Sequence, residues 1–496
     1  MALVAAIDIG TTNTKGCIIR DDSVPLAFSS VPTPLPNLGT RGQREHDPIL
    51  HWWKPFCRTF QDLIDKIPEA RSDLAAIYVS GVWPTFLLVD QLGVPLNNAL
   101  LYNDSRALLY QLSQDNTTDC VEGFEWAPRF RWWKATRPEQ WERADRVHTT
   151  HSYLVSRLTG AYVIDYHTAL ATGSLYNEIT GTWSDIVTAE VCPQGLTLPT
   201  VVGPTDIAGV LSRELCDQFG LTSPKVLVAA GTGDTFVSLI SAGMAQAGDT
   251  GLYGGTVGHL VRLKSPVDLS VARFNRGRDE DRITWLGMLP NIGKQLEWCR
   301  NILQVEEDSQ NLSWAELNTQ LSDYLDLRSR TFDGQAEAPL YFEYVNDERI
   351  PPILRESQSL LNYLDLSHSR VDLVFSVVEY LGLRTKLFLA NSSPAFAIEP
   401  LLLGGGVFRT EAVSRVMASV LGITCLVLEH AETSLGGALL LGHALGYFDL
   451  LEVQAQRRDR GSAFVPQQGL TERFEKRYDL FCKVRDRLKR ADIHVH

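Results

Sequence analysis

The chain has no paired cysteines. Its eight cysteines are scattered, with no C-x-x-C and no regular spacing, which argues against a zinc site or a disulfide framework and for a reducing compartment. A positive charge excess is also missing: 46 lysines and arginines oppose 59 acids, a formal charge of −13. A field of that sign repels nucleic acid and anionic lipid, so neither is an expected partner, and any anionic ligand must be held by local groups. No run of eighteen apolar residues occurs, and glycines and His443 break the stretch from Leu435 to Phe448. The N-terminal M-A-L-V-A-A-I-D-I-G has no basic leader and Asp8 interrupts its apolar run, so the expected location is cytoplasmic. Two nucleotide-binding signatures are absent as well. The G-x-G-x-x-G register fails at Arg409, and the nearest approach to a Walker motif, Gly287 to Lys294, has the wrong spacing and Gln295 in place of Ser or Thr.

What is present fits a large folded protein. Hydrophobic residues make up 44% and charged residues 21% of 496 residues, length enough for about two to four domains. Strand and helix signals alternate, which predicts an α/β architecture. Ala2 to Ile9 is apolar, Gly10 to Lys15 carries turn chemistry, and Gly16 to Arg20 resumes as a strand, so the chain opens on a β-hairpin. Asp47-Pro48 supplies an N-cap and a proline at the first helical position, and Trp52, Phe56, Phe60 and Leu63 follow at helical spacing. Leu74 to Ser80 and Phe86 to Asp90 read as strands. Lys225 to Ala230 is a further strand, G-T-G-D-T turns into an apolar helix through Ser241, and Gly251 to Leu260 repeats the small turn of the N-terminus. Thr222-Ser223-Pro224 interrupts the pattern and divides the chain into residues 1–224 and 225–496. In the last third, Leu401 to Leu403 leads through three glycines into a helix ended by Gly422. The charges of the last helix, Thr471 to Arg490, are expected on a solvated face.

Several short segments can carry chemistry. In D-I-G-T-T-N-T-K, Asp8 to Lys15, small turn residues let backbone N–H groups and threonine hydroxyls approach phosphate oxygens. Asp8 could hold a magnesium ion or its water, or cap a plain hairpin turn. Gly254-Gly255-Thr256-Val257-Gly258 invites the same two readings, and Gly404-Gly405-Gly406 precedes a helix whose N-terminus offers donors to an anion. Asp234, at the mouth of a strand-to-helix turn, can accept a proton from a substrate hydroxyl while that oxygen attacks phosphorus, or can cap its helix. Asp104, in L-L-Y-N-D-S-R-A, can grip sugar hydroxyls or cap the helix that follows.

In this order, these segments resemble the FGGY carbohydrate kinase family over nearly the whole chain. R-L-T-G at Arg157 to Gly160, L-L-L-G-G-G-V-F-R-T at Leu401 to Thr410 and S-L-G-G-A-L-L-L-G at Ser434 to Gly442 also match its landmarks. The resemblance implies an α/β fold of two actin-like (ribonuclease H-like) domains with a cleft between them, sugar mainly on the first and ATP mainly on the second. It implies ATP and Mg2+ as cofactors, Asp234 as catalytic base, and Asp8, with Asp234, near the metal and phosphates. Thr11, Thr12, Asn13 and Lys15 belong to the first phosphate turn, Gly255 and Thr256 to the second, and Gly405, Gly406 and Arg409 to the segment that contacts adenosine. Dimers are frequent in the family, so a homodimer is one expectation, although no interface is marked in the sequence.

L-L-Y-N-D-S-R-A is similar to the L-L-W-N-D-x-R of xylulose kinases, which implies a ketopentose substrate such as xylulose or ribulose. One departure bears on this. Where the family commonly has G-Q followed by a polar pair, this chain has Gly81-Val82-Trp83-Pro84. Trp83 can stack on a sugar's C–H face or simply fill space; Trp126 is a second aromatic candidate for sugar contact, or a core residue. Deoxyhexuloses and polyols therefore stay open as substrates. A catalytically silent nucleotide-binding regulator and a chaperone-like ATPase are the rival classes, the first disfavoured by Asp8, Asp104 and Asp234, the second by N-D-S-R.

Overall fold

Every residue of Leu3–Ile9 is buried, the signature of a strand covered on both faces. In the computed structural model this strand lies inside a seven-stranded sheet. The structure describes residues 2–34, 42–114, 124–255, 257–264, 283–289, 291–303, 313–330, 337–345, 358–392, 398–490 and 494–495. The sheet runs in the order Ile207–Val210, Leu227–Ala229, Leu74–Gly81, Leu3–Ile9, Asn13–Arg20, Pro25–Pro32, and Thr232–Gly233 also pairs with Leu74–Gly81. Leu3–Ile9 is antiparallel to Asn13–Arg20, as the expected hairpin requires, and parallel to Leu74–Gly81.

A second sheet repeats the plan with six strands: Ile283–Leu289, Gly258–Leu263, Thr250–Gly254, Leu401–Gly404, Cys425–Val427 and Ser462–Phe464. Thr250–Gly254 is antiparallel to Gly258–Leu263 and parallel to Leu401–Gly404. The echo between the two glycine–threonine turns is thus architectural: each closes a hairpin whose first strand pairs, on its other side, with a parallel strand. The first sheet runs past residue 224. Leu227–Ala229 and Thr232–Gly233 pair within it, and the second sheet starts only at Thr250. Hydrogen-bonding to Leu74–Gly81 outweighs the local break at Thr222-Ser223-Pro224.

Among the described residues four apolar cores result. One covers the outer face of the first sheet with Trp52, Phe56, Phe60 and Leu154 from the helices Lys54–Lys66 and Thr150–Thr159 and the turn before the first. A second packs the helices Ile292–Leu303, Arg370–Asn391, Glu411–Leu421 and Gln468–Arg490 beside the second sheet. A third, around Phe86, Phe130 and Trp133, belongs to the segment between the strands of the first sheet. The remaining core lies between the sheets. There Val4, Ala6, Ala76 and Tyr78 of the first sheet and Val261, Leu402 and Leu426 of the second enclose the helices Asp234–Ser241 and Thr433–Ala444. The second of these helices is buried on every side from Thr433 to Gly442, which fits its apolar, small-residue composition. Among the described residues no helix is long and apolar enough to cross a membrane.

The last helix begins at Gln468, three residues before the expected start, and is not solvated along all its charges. Arg477 is buried and paired with Glu379 and Glu337. Arg473 also reaches Glu337, at 3.0 Å.

Candidate active site

Parallel strands deliver their C-terminal ends to one edge of a sheet, where ligands of open α/β sheets bind. The register of the first sheet places Asp8 opposite Ser80 and Ile9 opposite Gly81; on the other side of the same strand, Thr232 lies opposite Ser80 and Gly233 opposite Gly81. Asp8 and the residues leading into Asp234 therefore flank one strand end from both sides. The Asp8 Oδ1 accepts a 2.8 Å bond from Ser80 Oγ. Asp234 starts its helix, with Gly233 as N-cap.

Asp8 is buried and Asp234 half-buried, and loss of hydration raises the pKa of each; the Ser80 bond and Lys15, its partner across the hairpin, partly offset this for Asp8. For Asp234, burial and then the charge of Asp8 push the value up to about 8, against weaker opposition from Thr235 and backbone N–H groups. Like charges brought together out of water cannot both ionise freely. Such a pair calls for a cation or a proton donor between its members.

The glycine turns come to this pair. Gly10 N–H bonds Asn13 O at 3.2 Å to close the first turn, and a Cβ on Gly10 would sit 2.6 Å from that oxygen. Thr11 and Asn13 are half-buried and Thr12 is exposed. On the second sheet, Tyr253 precedes Gly254 and Gly255. Its hydroxyl lies 2.9 Å from Thr433 Oγ1, and burial together with the charges of Asp8, Asp234 and Glu432 raises its pKa. That shared field joins the second turn to the carboxylates of the first sheet. Gly405, at φ +92°, fits against Gly254: a Cβ there would lie 2.3 Å from Gly254 O. Gly406 opens the short turn Gly406–Arg409, and Arg409 is ion-paired with Glu432. Thr256 lies outside the described residues.

Of the residues expected at the sugar, Trp83 is brought to the base. A Cβ on Gly233 would lie 2.4 Å from the Trp83 ring, so only glycine lets the indole pack against the residue before Asp234. The Trp83 Nε1 is buried with no hydrogen-bond partner among the described residues. The other two expectations need correction. Trp126 is 1% exposed, stacked on Trp183 and edge-on to Phe86, with its Nε1 donating to Thr85 O at 3.3 Å. It is a core residue because an indole surrounded by that much aromatic surface gains more from burial than from a wet cleft. The Asp104 carboxylate accepts from Arg44 N at 2.8 Å, Arg106 N at 3.2 Å, Arg106 Nε at 3.0 Å and an Arg106 terminal nitrogen at 2.7 Å. All its acceptor positions are taken, and Glu45 completes the ion pairing of Arg106. Asp104 holds the L-L-Y-N-D loop in place instead of gripping a ligand.

Residues that the sequence did not single out also converge. Tyr102, two positions before Asp104, has its phenol pushed up to about 12 by burial and by the charge of Asp234. Ser80, Tyr253 and Thr232 complete the surroundings. Thr232 and Tyr253 lie within the G-T-G-D-T and Gly251 to Leu260 segments, whereas Ser80 is flagged only by its strand-end position.

Among the described residues no cluster of three or more His, Cys, Asp or Glu side chains is present. A hard cation here would be held by Asp8, with Asp234 next to it, and otherwise by phosphate oxygens and water. Two carboxyls with raised pKa values, one buried and one half-buried, fit such a cation: they are hard oxygen donors whose ionised forms gain from a positive charge.

The comparisons with known proteins agree with this geometry. Residues 3–241 match the N-terminal domain model of the FGGY family of carbohydrate kinases, and residues 252–445 match its C-terminal domain model. A xylulose kinase of Bacillus subtilis is 23% identical over 98% of this chain and 97% of its own length. A xylulose kinase of Escherichia coli is 25% identical over 93% and 92%. Among solved structures, a ligand-bound xylulose kinase from Lactobacillus acidophilus shares the fold with a TM-score of 0.78 at 21% identity, covering 99% of both chains. The glycerol kinase of Plasmodium falciparum does so with a TM-score of 0.75 at 15% identity, covering 98% of both. The fold is the two-domain, actin-like one, and with both domain models matched in order around the paired aspartates, the chain belongs to the FGGY family of carbohydrate kinases and is a phosphotransferase.

Proposed function

We propose that this enzyme transfers the γ-phosphoryl group of ATP to a hydroxyl of a ketopentose such as xylulose or ribulose. The observation that carries the reading is the placement of Asp234: half-buried at the start of its helix, beside the buried Asp8, and reached by the field that also touches Tyr253 at the second glycine turn. The names of the relatives aligned over nearly the full chain, and the L-L-Y-N-D segment, support a ketopentose.

Asp234 accepts the proton of the attacking hydroxyl. Its raised pKa makes it a stronger base than an ordinary carboxylate while leaving it ionisable near neutrality. A divalent cation, generally magnesium in this family, would be held by Asp8 with Asp234 next to it, and would supply neutralisation of charge on the phosphates. The N–H groups of the Gly10–Asn13 turn, Lys15, and the Gly254–Gly255 and Gly405–Gly406 turns line the path of the phosphoryl group, so the protein's task is alignment and exclusion of water. Trp83 presents an indole to the sugar side next to Gly233.

The test is ADP release across a panel of pentuloses, deoxyhexuloses and polyols with magnesium and ATP, with Asp234→Ala as control. A pentulose is expected to stimulate strongly and the variant to lose turnover while still binding nucleotide. Tight nucleotide binding with no stimulation by any member of the panel would instead make the chain a silent regulator.

The pH dependence follows from the direction of the shift. The base works only when deprotonated, and its pKa lies between the ordinary 3.8 and about 8, depending on what neutralises Asp8. Sugar-dependent kcat/KM should therefore rise with pH across that window. A profile that falls with rising pH there removes Asp234 from the role.

A further inference from the structure

Two residues before Asp234, Thr232 is tied to a fully buried carboxylate that touches neither turn. Asp165 caps the helix Tyr166–Ala171 and accepts bonds from the backbone N–H groups of His167 at 3.1 Å and Thr168 at 3.2 Å. Its other contacts are Thr168 Oγ1 at 2.6 Å, His151 Nε2 at 2.9 Å and Thr232 Oγ1 at 2.8 Å. We infer that Asp165 is a positioning residue for the reaction, holding Asp234 in place through Thr232. The inference rests on the reading of Asp234 as the base.

An anchor is needed there. The strand bridge that carries Asp234 is only two residues long, Thr232 and Gly233 against Ser80 and Gly81. Gly231, just before it, has φ +74°, and a Cβ on it would lie 2.0 Å from Val79 O, so the chain turns sharply against the sheet. Desolvation and the charge of Asp8 both favour Asp234 swinging out toward water. The backbone bridge resists this on one side and the Thr232 hydroxyl on the other. Asp165 can serve as a fixed post because it joins three separate segments, at His151, at Thr168 and at Thr232. Its contacts with His151, His167 and Thr168 hold it below the ordinary carboxylate range against the opposing effect of burial, so the Thr232 hydroxyl donates to a charged acceptor, the stronger kind of bond. Supporting shells of this type fix a reacting group to within fractions of an ångström.

Thr232→Val removes only the hydroxyl, keeps the shape, and leaves Asp165 its bonds to His151, His167 and Thr168. It is expected to lower kcat by about 10-fold or more while KM for sugar and nucleotide stays within about twofold and the melting midpoint is nearly unchanged. Thr232→Ser should restore kcat. Hydrogen exchange followed by mass spectrometry should show faster exchange confined to residues 231–235 in Thr232→Val, a readout that needs no substrate. Unaltered exchange there, or full kcat in Thr232→Val, overturns the anchor. Retained turnover in Asp234→Asn would instead strike the base, and the exchange measurement still decides the anchor.

Discussion

Asp234→Asn is expected to lower turnover by about 10²–10⁴ and, at the same time, to make the protein harder to melt. Both effects come from the same carboxyl. In the folded protein its pKa is raised to about 8 from 3.8, by burial first and by Asp8 second. The folded state therefore holds the proton more tightly than the unfolded chain does. Between those two values the unfolded state loses its proton first, so stability falls as pH rises through the window, and the full penalty is present above pH 8. At about 1.4 kcal/mol per unit, the penalty is on the order of several kcal/mol. Asparagine keeps the shape and removes the charge, and Asp8 then ionises without an opposing neighbour. The gain in melting temperature should be absent near pH 4, develop as pH rises toward 8, and reach roughly 5 °C or more in protein stripped of metal and nucleotide. Calorimetry at a series of pH values, beside the ADP-release assay, checks both halves. A variant that loses activity and melts earlier above pH 8 would show Asp234 to be a structural residue.

Much of this arrangement can be read from the chain before any coordinates are consulted, and the reason is periodicity. The opening hairpin, the strand-to-helix turn into Asp234, the second hairpin and the helix ended by Gly422, at φ +70°, all announce themselves through local chemistry: apolar runs, glycine and threonine turns, a left-handed cap. Side-chain partners do not announce themselves. Asp104 looks as available to a ligand as Asp234 does, and only the folding of Arg44 and Arg106 around it closes it. Trp126 reads from the sequence as a sugar contact or a core residue, and the stacking of Trp183, more than fifty residues on, decides for the core. Arg477 sits in a strongly charged helix, yet Glu379 and Glu337, remote in sequence, draw it inside. Asp165 stands in no motif, and nothing in G-T-G-D-T marks Thr232 as its partner. Long-range pairing decides each of these, and a single sequence does not display it.

The glycines of S-L-G-G-A make the sharpest test of the core between the sheets. In a helix, each glycine costs about 1 kcal/mol relative to alanine, so propensity alone predicts that Gly436→Ala stabilises. Packing predicts the reverse. A Cβ on Gly436 would lie 2.0 Å from Val237 O and 3.0 Å from Ser241 N, both backbone atoms of the helix that begins at Asp234; a Cβ on Gly437 would meet the Tyr78 ring at 2.6 Å. The two helices touch backbone to backbone, and a methyl group must drive them apart by about an ångström, because close-packed interiors have little room to yield. The expected cost is about 3 kcal/mol, visible as earlier melting. Displacing the base helix by that much should also lower kcat by about 100-fold. Gly442→Ala is the control within the same helix: its Cβ would crowd the tip of the Phe448 ring, at 2.6 Å, a side chain that can turn aside, and would meet Ile19 Cδ1 at an ordinary 3.7 Å. It should melt close to wild type and keep most of its turnover. If Gly436→Ala melts at or above the wild-type temperature with normal kcat, the helix pair is not the rigid mount that holds Asp234 between the sheets.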